Sequence, residues 1–446
     1  MRFHNVTVAA TAVLGLVVAS CSSSNSTTSG STTTTQPPAV TSTTIDAAAV
    51  AAAAQAYTAA GPYPVGVRTA TLPSGVKVEI WYPAVAGSTG TETYDAREFT
   101  DPAIRALLTA DIPATHSYSA ARDAAVADGK FPVVLNSHGF SGWRSDSSFL
   151  TSHLASWGMI VVSPDHKSRD LLHLASNLAS LSTSTSTSTS TTTTATVTST
   201  TTTATGTGTA TTARLGTGDS TPTTNATDPT DPKRVAALNE SVAELLGGLD
   251  YITAQSSASA SPFKDHIDLD HVGALGHSAG GGTILKAALD PRIDGYVSMA
   301  SGIFANKSAL PQKPSFFLSG EIDQIAATAN THDAFLAVPA PSLFWRIGGA
   351  GHNAFDDICT LGAGKGIIGI AEASGLGPLL DSTPLIRKLG MDGCVPPAEP
   401  VETTFPIIDH AITAWFLNLF GIDAKPKGLD TAVTNSYAVK LTIEQR

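Results

Sequence analysis

The chain has 446 residues and a formal net charge of −11, with 26 lysines and arginines against 37 aspartates and glutamates. That balance argues against nucleic acid and anionic membrane surfaces as partners. Charged residues are only 14% of the chain, a deficit largely explained by two Ser/Thr tracts, so length alone overstates the number of folded domains.

Residues 1–20 carry one early charge, Arg2, and then an apolar run from Val6 to Val18. The run is too short to span a bilayer comfortably and reads as a signal peptide. It ends in Val18-Ala19-Ser20-Cys21, which resembles the bacterial lipobox. By that resemblance Cys21 is lipidated and becomes the mature N-terminus. The chain is then expected in the cell envelope, on the outer face of the cytoplasmic membrane, with release as a secreted form a second option.

Residues 21–60 read as a Ser/Thr/Ala-rich tether. The folded domain is expected over 61–435, with 436–446 as a C-terminal tail. Residues 180–232 repeat Ser, Thr, Ala and Gly and hold too little apolar surface to repay the entropy of ordering. They are expected to form a disordered insertion within one domain, since long surface insertions add little loop-closure cost.

The remaining segments alternate between strand and helix signals. Val76 to Tyr82 reads as a strand ended by Pro83, and Phe131 to Asn136 as a short buried strand. Ser147 to Ser156 is helix-like, and Met159 to Ser163 is a buried strand. Val235 to Thr253 has apolar residues at helical spacing. Val272 to Leu275 is a strand followed by a helix from Gly281 to Leu289. Strands follow at Tyr296 to Met299, Ser315 to Ser319 and Ser342 to Ile347, and a closing helix at Ile407 to Phe420. This order predicts an α/β domain, a mostly parallel sheet with helices on both faces. Its ligand site is expected beyond the carboxyl ends of the strands.

Four of those strand ends carry chemistry. Gly276-His277-Ser278-Ala279-Gly280 is Gly-x-Ser-x-Gly, the turn that lifts a nucleophilic serine above an α/β sheet. After Phe131 to Asn136 comes Ser137-His138-Gly139-Phe140, where a tight turn aims a peptide N–H at the nucleophile. The N–H groups of Phe140 and Ala279 are the expected oxyanion hole, with His138 and His277 read as packing. After Ser315 to Ser319 comes Gly320-Glu321-Ile322-Asp323. Asp323 is favoured as the acid that orients the base, with Glu321 and Asp294 competing. After Ser342 to Ile347 a glycine-rich turn presents His352, the expected general base. The order Ser278, Asp323, His352 is that of α/β-hydrolases.

Further motifs carry a resemblance. Asn136-Ser137-His138-Gly139-Phe140, Ser147-Ser148-Phe149-Leu150, Leu154-Ala155-Ser156-Trp157-Gly158, Ser163-Pro164-Asp165-His166 and Gly351-His352-Asn353 resemble the bacterial platelet-activating-factor-acetylhydrolase-like esterases. These are relatives of dienelactone hydrolases and cutinase-like polyester hydrolases. The resemblance spans about 61–180 and 232–425. It implies the α/β-hydrolase fold, with Ser278 as nucleophile, His352 as base and Phe140 in the oxyanion hole. Asp323 matches the acid of the polyester-hydrolase branch. The acid of the eukaryotic acetylhydrolases has no counterpart near Met299 to Ser301.

The expected reaction is ester hydrolysis through an acyl-enzyme, with no metal or organic cofactor. The substrate is a small-molecule, lipid or polymer ester. Amide hydrolysis or acyl transfer on the same fold is the alternative, and a non-catalytic binding module the remote one. A serine at the elbow, where aspartate would stand, argues against epoxide and haloalkane hydrolases. With Cys21 lipidated, Cys359 and Cys394 remain as an even pair and are expected to form a disulfide. Between them lies an apolar, glycine-punctuated stretch, read as a lid or acyl-binding wall, with Phe140 and Trp143 facing it.

Overall fold

Val133 and Leu135 pack into one core and Val134, between them, into another. This alternation marks a sheet buried on both faces. The structure, a computed structural model, describes residues 46–108, 111–173, 231–302, 309–381 and 384–446. The expected signal peptide, Cys21, the Ser/Thr part of the tether and nearly all of the insertion lie outside the described residues.

In chain order the first elements are α1 (Ala47–Ala54), β1 (Val65–Thr71), β2 (Lys77–Pro83), β3 (Thr91–Asp95), α2 (Pro102–Arg105), β4 (Thr115–Ser119) and β5 (Ala121–Arg122). Then come β6 (Phe131–Ser137), α3 (Ser148–Ser156), β7 (Ile160–Pro164), α4 (Pro232–Gln255), β8 (Ile267–His277), α5 (Ala279–Ala287) and β9 (Gly295–Met299). β10 (Ser315–Gly320), α6 (Thr328–Ala337), β11 (Ser342–Ile347), α7 (Gly366–Ala373), α8 (Gly377–Asp381), α9 (Pro384–Met391), α10 (Val401–Leu419) and β12 (Leu441–Gln445) complete the described chain.

The main sheet has ten strands in the order β12-β11-β10-β9-β8-β6-β7-β2-β1-β5. From β11 to β7 every neighbouring pair is parallel. β2 joins β7, and β12 joins β11, in antiparallel register. One face packs Trp81, Val134, Val161, Leu275, Phe316 and Trp345 with residues of α3 and α10. The other packs Ile80, Leu135, Val162, Tyr296 and Phe317 with residues of α4, α5 and α6. Each such side chain, fully buried, contributes about 1.5–3 kcal/mol of apolar transfer. α4 starts where it does because Asp231 accepts the N–H of Lys233 and Pro232 takes the first helical position.

The expected α/β-hydrolase architecture is therefore present. Two expected boundaries move. Residues 47–60 are not only tether, because α1 forms there and Ala54 and Tyr57 enter the core. Residues 436–446 are not a free tail, because β12 pairs with β11 and buries Leu441 and Ile443 at period two. A separate two-stranded antiparallel sheet, β3–β4, and the short helices α7 to α9 are additions to the expected elements.

Candidate active site

The elbow starts from a steric requirement. A Cβ on Gly276 would lie 2.6 Å from the carbonyl of Gly280, and one on Gly280 would lie 1.9 Å from the carbonyl oxygen of Ser137. Only glycines allow strand β8, helix α5 and strand β6 to approach this closely. Between them Ser278 takes φ 54 and ψ −121, a left-handed conformation that a non-glycine residue adopts at a cost of order 1–3 kcal/mol. Its N–H is held by the carbonyl of Met299 at 2.9 Å. The side chain is thereby lifted off the end of β8 and left half-buried.

The other strand ends converge on it. His352 Nε2 lies 2.8 Å from Ser278 Oγ, and His352 Nδ1 lies 2.9 Å from Asp323 Oδ2. A carboxylate only accepts, so Nδ1 carries the proton and Nε2 is free to accept from the serine hydroxyl. The other oxygen of Asp323 accepts the N–H groups of Ile325 (2.8 Å) and Ala326 (2.7 Å). His352 and Asp323 are both buried. The competing carboxylates are elsewhere: Glu321 Oε2 accepts the Gly349 N–H at 3.3 Å, and Asp294 accepts the Val272 N–H at 2.7 Å.

The turn after β6 is fixed from within. His138 Nδ1 donates to the Gly139 carbonyl at 2.8 Å, and His138 Nε2 accepts the N–H of His166 at 3.1 Å. Burial holds the His138 imidazole well below its usual range, so it stays neutral in this structural role. Ser141, at φ 60, donates its N–H to the Arg169 carbonyl at 2.7 Å. Gly139 sits against Ser278, since a Cβ there would be 3.3 Å from the serine Cβ. Among the described residues the N–H groups of Phe140 and Ala279 have no hydrogen-bond acceptor. Both amides are at partly exposed positions beside the nucleophile.

One pocket opens on these groups. It is lined by Gly139, Phe140 and Ser141, by Ser278 and His352, and by Ile358, Ile367, Leu389 and Gly390. The stretch between the cysteines is thus a wall of the pocket. The Cys359–Cys394 disulfide is formed, with 4.8 Å between the Cα atoms. Trp143 does not line the pocket as expected, but packs in one buried cluster with Ile358, Leu361 and Ile370. It is buried, stacked on Phe99 at 5.4 Å and edge-on to Tyr94 at 5.7 Å.

Sequence reading missed three acidic side chains. Asp146 and Asp356 line the pocket while almost wholly buried. Burial, and then the neighbouring Asp356 carboxylate, hold Asp146 well above the usual carboxylate range. Asp392 accepts the backbone N–H of His352 at 2.9 Å. Asp356 lies in Phe355-Asp356-Asp357, which follows Gly351-His352-Asn353 and shares the family resemblance, but the sequence gives it no role, and no pattern marks Asp146 or Asp392. His277, read as packing, also does more than fill space: its Nε2 donates to the His352 carbonyl at 2.9 Å. His166 and His332 pair with Glu244 and Glu444, respectively.

Comparison with known proteins bears on the fold and the class of enzyme. Residues 49–176 match the family model for platelet-activating factor acetylhydrolase, isoform II. Residues 238–339 match the model for PET hydrolase-like proteins. A ferulic acid esterase from Streptomyces cinnamoneus superposes with a TM-score of 0.53 at 18% identity, covering 87% of this chain and 99% of that one. That likeness bears on the fold alone. The chain is an α/β-hydrolase of the carboxylic-ester hydrolase group.

Proposed function

We propose that the chain cleaves carboxylic esters through an acyl-enzyme on Ser278. The observation that carries this reading is the unbroken chain from Ser278 Oγ through His352 to Asp323, with contacts of 2.8 and 2.9 Å. His352 Nε2 takes the hydroxyl proton as Ser278 Oγ attacks the ester carbonyl. Asp323 keeps the proton on Nδ1 and stabilises the imidazolium that forms. The uncommitted N–H groups of Phe140 and Ala279 receive the oxyanion, where one such donor lowers the barrier by about 3 kcal/mol. The imidazolium then protonates the leaving alcohol, and water activated by the same His352 releases the acid.

The apolar side of the pocket, Ile358, Ile367 and Leu389, favours an apolar ester of modest bulk next to the nucleophile. The test is covalent and kinetic. A fluorophosphonate probe is expected to label the wild type at Ser278 and leave Ser278→Ala untouched. p-Nitrophenyl esters are expected to turn over far faster than matched anilides. Faster anilide turnover would favour an amidase, and an unlabelled wild type would refute the reading.

The same proposal includes an address. Lipid on Cys21 would tether the domain to the outer face of the cytoplasmic membrane, and the disulfide suits an oxidising compartment. Among the described residues no helix is long and apolar enough to cross a membrane. Incorporation of a clickable palmitate analogue into the wild type, and its loss in Cys21→Ser, would support the anchor. Equal labelling of both would remove it.

A further inference from the structure

Asp323 and His352 stand on different loops, after β10 and β11, and their contact depends on how those loops are held together. At the base, the N–H of Ile322 donates to the Ala350 carbonyl at 3.0 Å. At the reacting end the tie comes from a third segment. Asp392 Oδ1 accepts the N–H of His352 at 2.9 Å, and its Oδ2 accepts the N–H of Gln324 at 2.9 Å. Gln324 is the residue after Asp323, so one carboxylate spans the two loops beside the acid and the base. The backbone carbonyl of Asp392 also accepts the N–H of Asn353 at 2.8 Å.

The carboxylate is itself anchored. The backbone N–H of Asp392 donates to the Lys388 carbonyl in the last turn of α9, at 3.1 Å. Two residues on, Cys394 is bonded to Cys359. Between them Gly393 takes φ 95 and lies against Gly351, where a Cβ on Gly351 would come within 2.5 Å of the Gly393 Cα. Only a glycine pair lets the Asp392 carboxylate reach the His352 backbone this closely.

From this arrangement we propose that Asp392 is a positioning residue for the hydrolysis. It touches no reacting atom and acts by fixing the distance between Asp323 and His352. The inference rests on the ester-hydrolase reading above. Displacing a catalytic group by about 1 Å can cost on the order of 100-fold in rate.

The experiment is a double-mutant cycle with the full chain, using Asp392→Ala and Asp323→Ala, alone and together. It reads kcat and KM on p-nitrophenyl acetate and the rate of Ser278 labelling by a fluorophosphonate. Asp392→Ala is expected to lower kcat and the labelling rate about 10- to 100-fold, with KM within about twofold. In the Asp323→Ala background the same change is expected to cost no more than about twofold, because the contact it tunes is already gone. Asp392→Asn keeps one acceptor oxygen and is expected to recover part of the loss. Should Asp392→Ala fail to fold, Asp392→Asn carries the same cycle. A kcat within about twofold of wild type, or equal losses in both backgrounds, overturns the inference. Labelled wild type with an unchanged Asp392→Ala rate overturns it alone. A wild type that is not labelled overturns the hydrolase reading and this inference together.

Discussion

The ring of His277 packs 4.8 Å from the ring of His352, and its Nε2 donates to the His352 backbone carbonyl at 2.9 Å. The residue before Ser278 therefore holds the backbone of the candidate base, while its Nδ1 lies 3.3 Å from Asp356 Oδ2. His277→Ala would leave the buried His352 carbonyl without this donor, at about 1–3 kcal/mol. We expect a lowered denaturation midpoint together with a lower kcat. A variant with wild-type values of both would show that the contact is incidental.

The pocket wall makes a prediction about substrate size. Ile367 and Leu389 come from α7 and α9, within the segment closed by the disulfide. Shortening Leu389 to Ala opens space beside Ser278, and one methylene in an apolar pocket is worth about 1–3 kcal/mol. The ratio of kcat/KM for octanoate over butyrate p-nitrophenyl esters is expected to rise about 10-fold. An unchanged ratio would place the acyl chain elsewhere.

A pH effect follows from the network around the turn after β6. His166 links Ser137 Oγ (2.9 Å) to Glu244 Oε2 (3.0 Å), and Arg169 Nη2 donates to the same Ser137 Oγ at 2.6 Å. Burial pushes the Glu244 carboxyl up to about 7, and burial holds His166 well below its usual range. A folded value above the ordinary 4.5 means that the proton stabilises the fold. That contribution is complete below about pH 4.5 and is lost as pH rises through about 7. Glu244→Gln mimics the protonated acid. Its stability relative to wild type, from urea unfolding, should increase between pH 4.5 and pH 8. A difference that stays flat with pH would exclude the assignment.

The disulfide closes a loop of 35 residues. On the chain-entropy account, this restricts the unfolded chain by about 4 kcal/mol. Cys359→Ser with Cys394→Ser should therefore lower stability by up to about 4 kcal/mol. If Asp392 depends on this anchor, kcat should fall as well at temperatures where the fold persists. Equal unfolding midpoints for wild type and the double serine variant would contradict the first expectation.

The candidate nucleophile, carboxylate and base were legible because each follows its own apolar strand, at Ser278, Asp323 and His352. Parallel strands place such ends on one edge of the sheet, so chain order and local turn chemistry suffice to nominate them. The outer elements were less legible. β12 depends on pairing with β11, some hundred residues earlier in the chain, and its five-residue alternation means little without that partner.

What only tertiary structure decided is which carboxylates meet which backbone. Glu321 and Asp323 stand two residues apart with the same chemistry, yet one lies at the protein surface and the other is buried against His352. Asp392 lies in a loop with no strand before it, and its proposed role follows from a glycine contact and the disulfide two residues on. A sequence carries the period of its own strands and helices. It does not carry the distance between loops that meet only after the sheet has assembled, and at that distance of 2.9 Å His352 either shares a proton with Asp323 or does not.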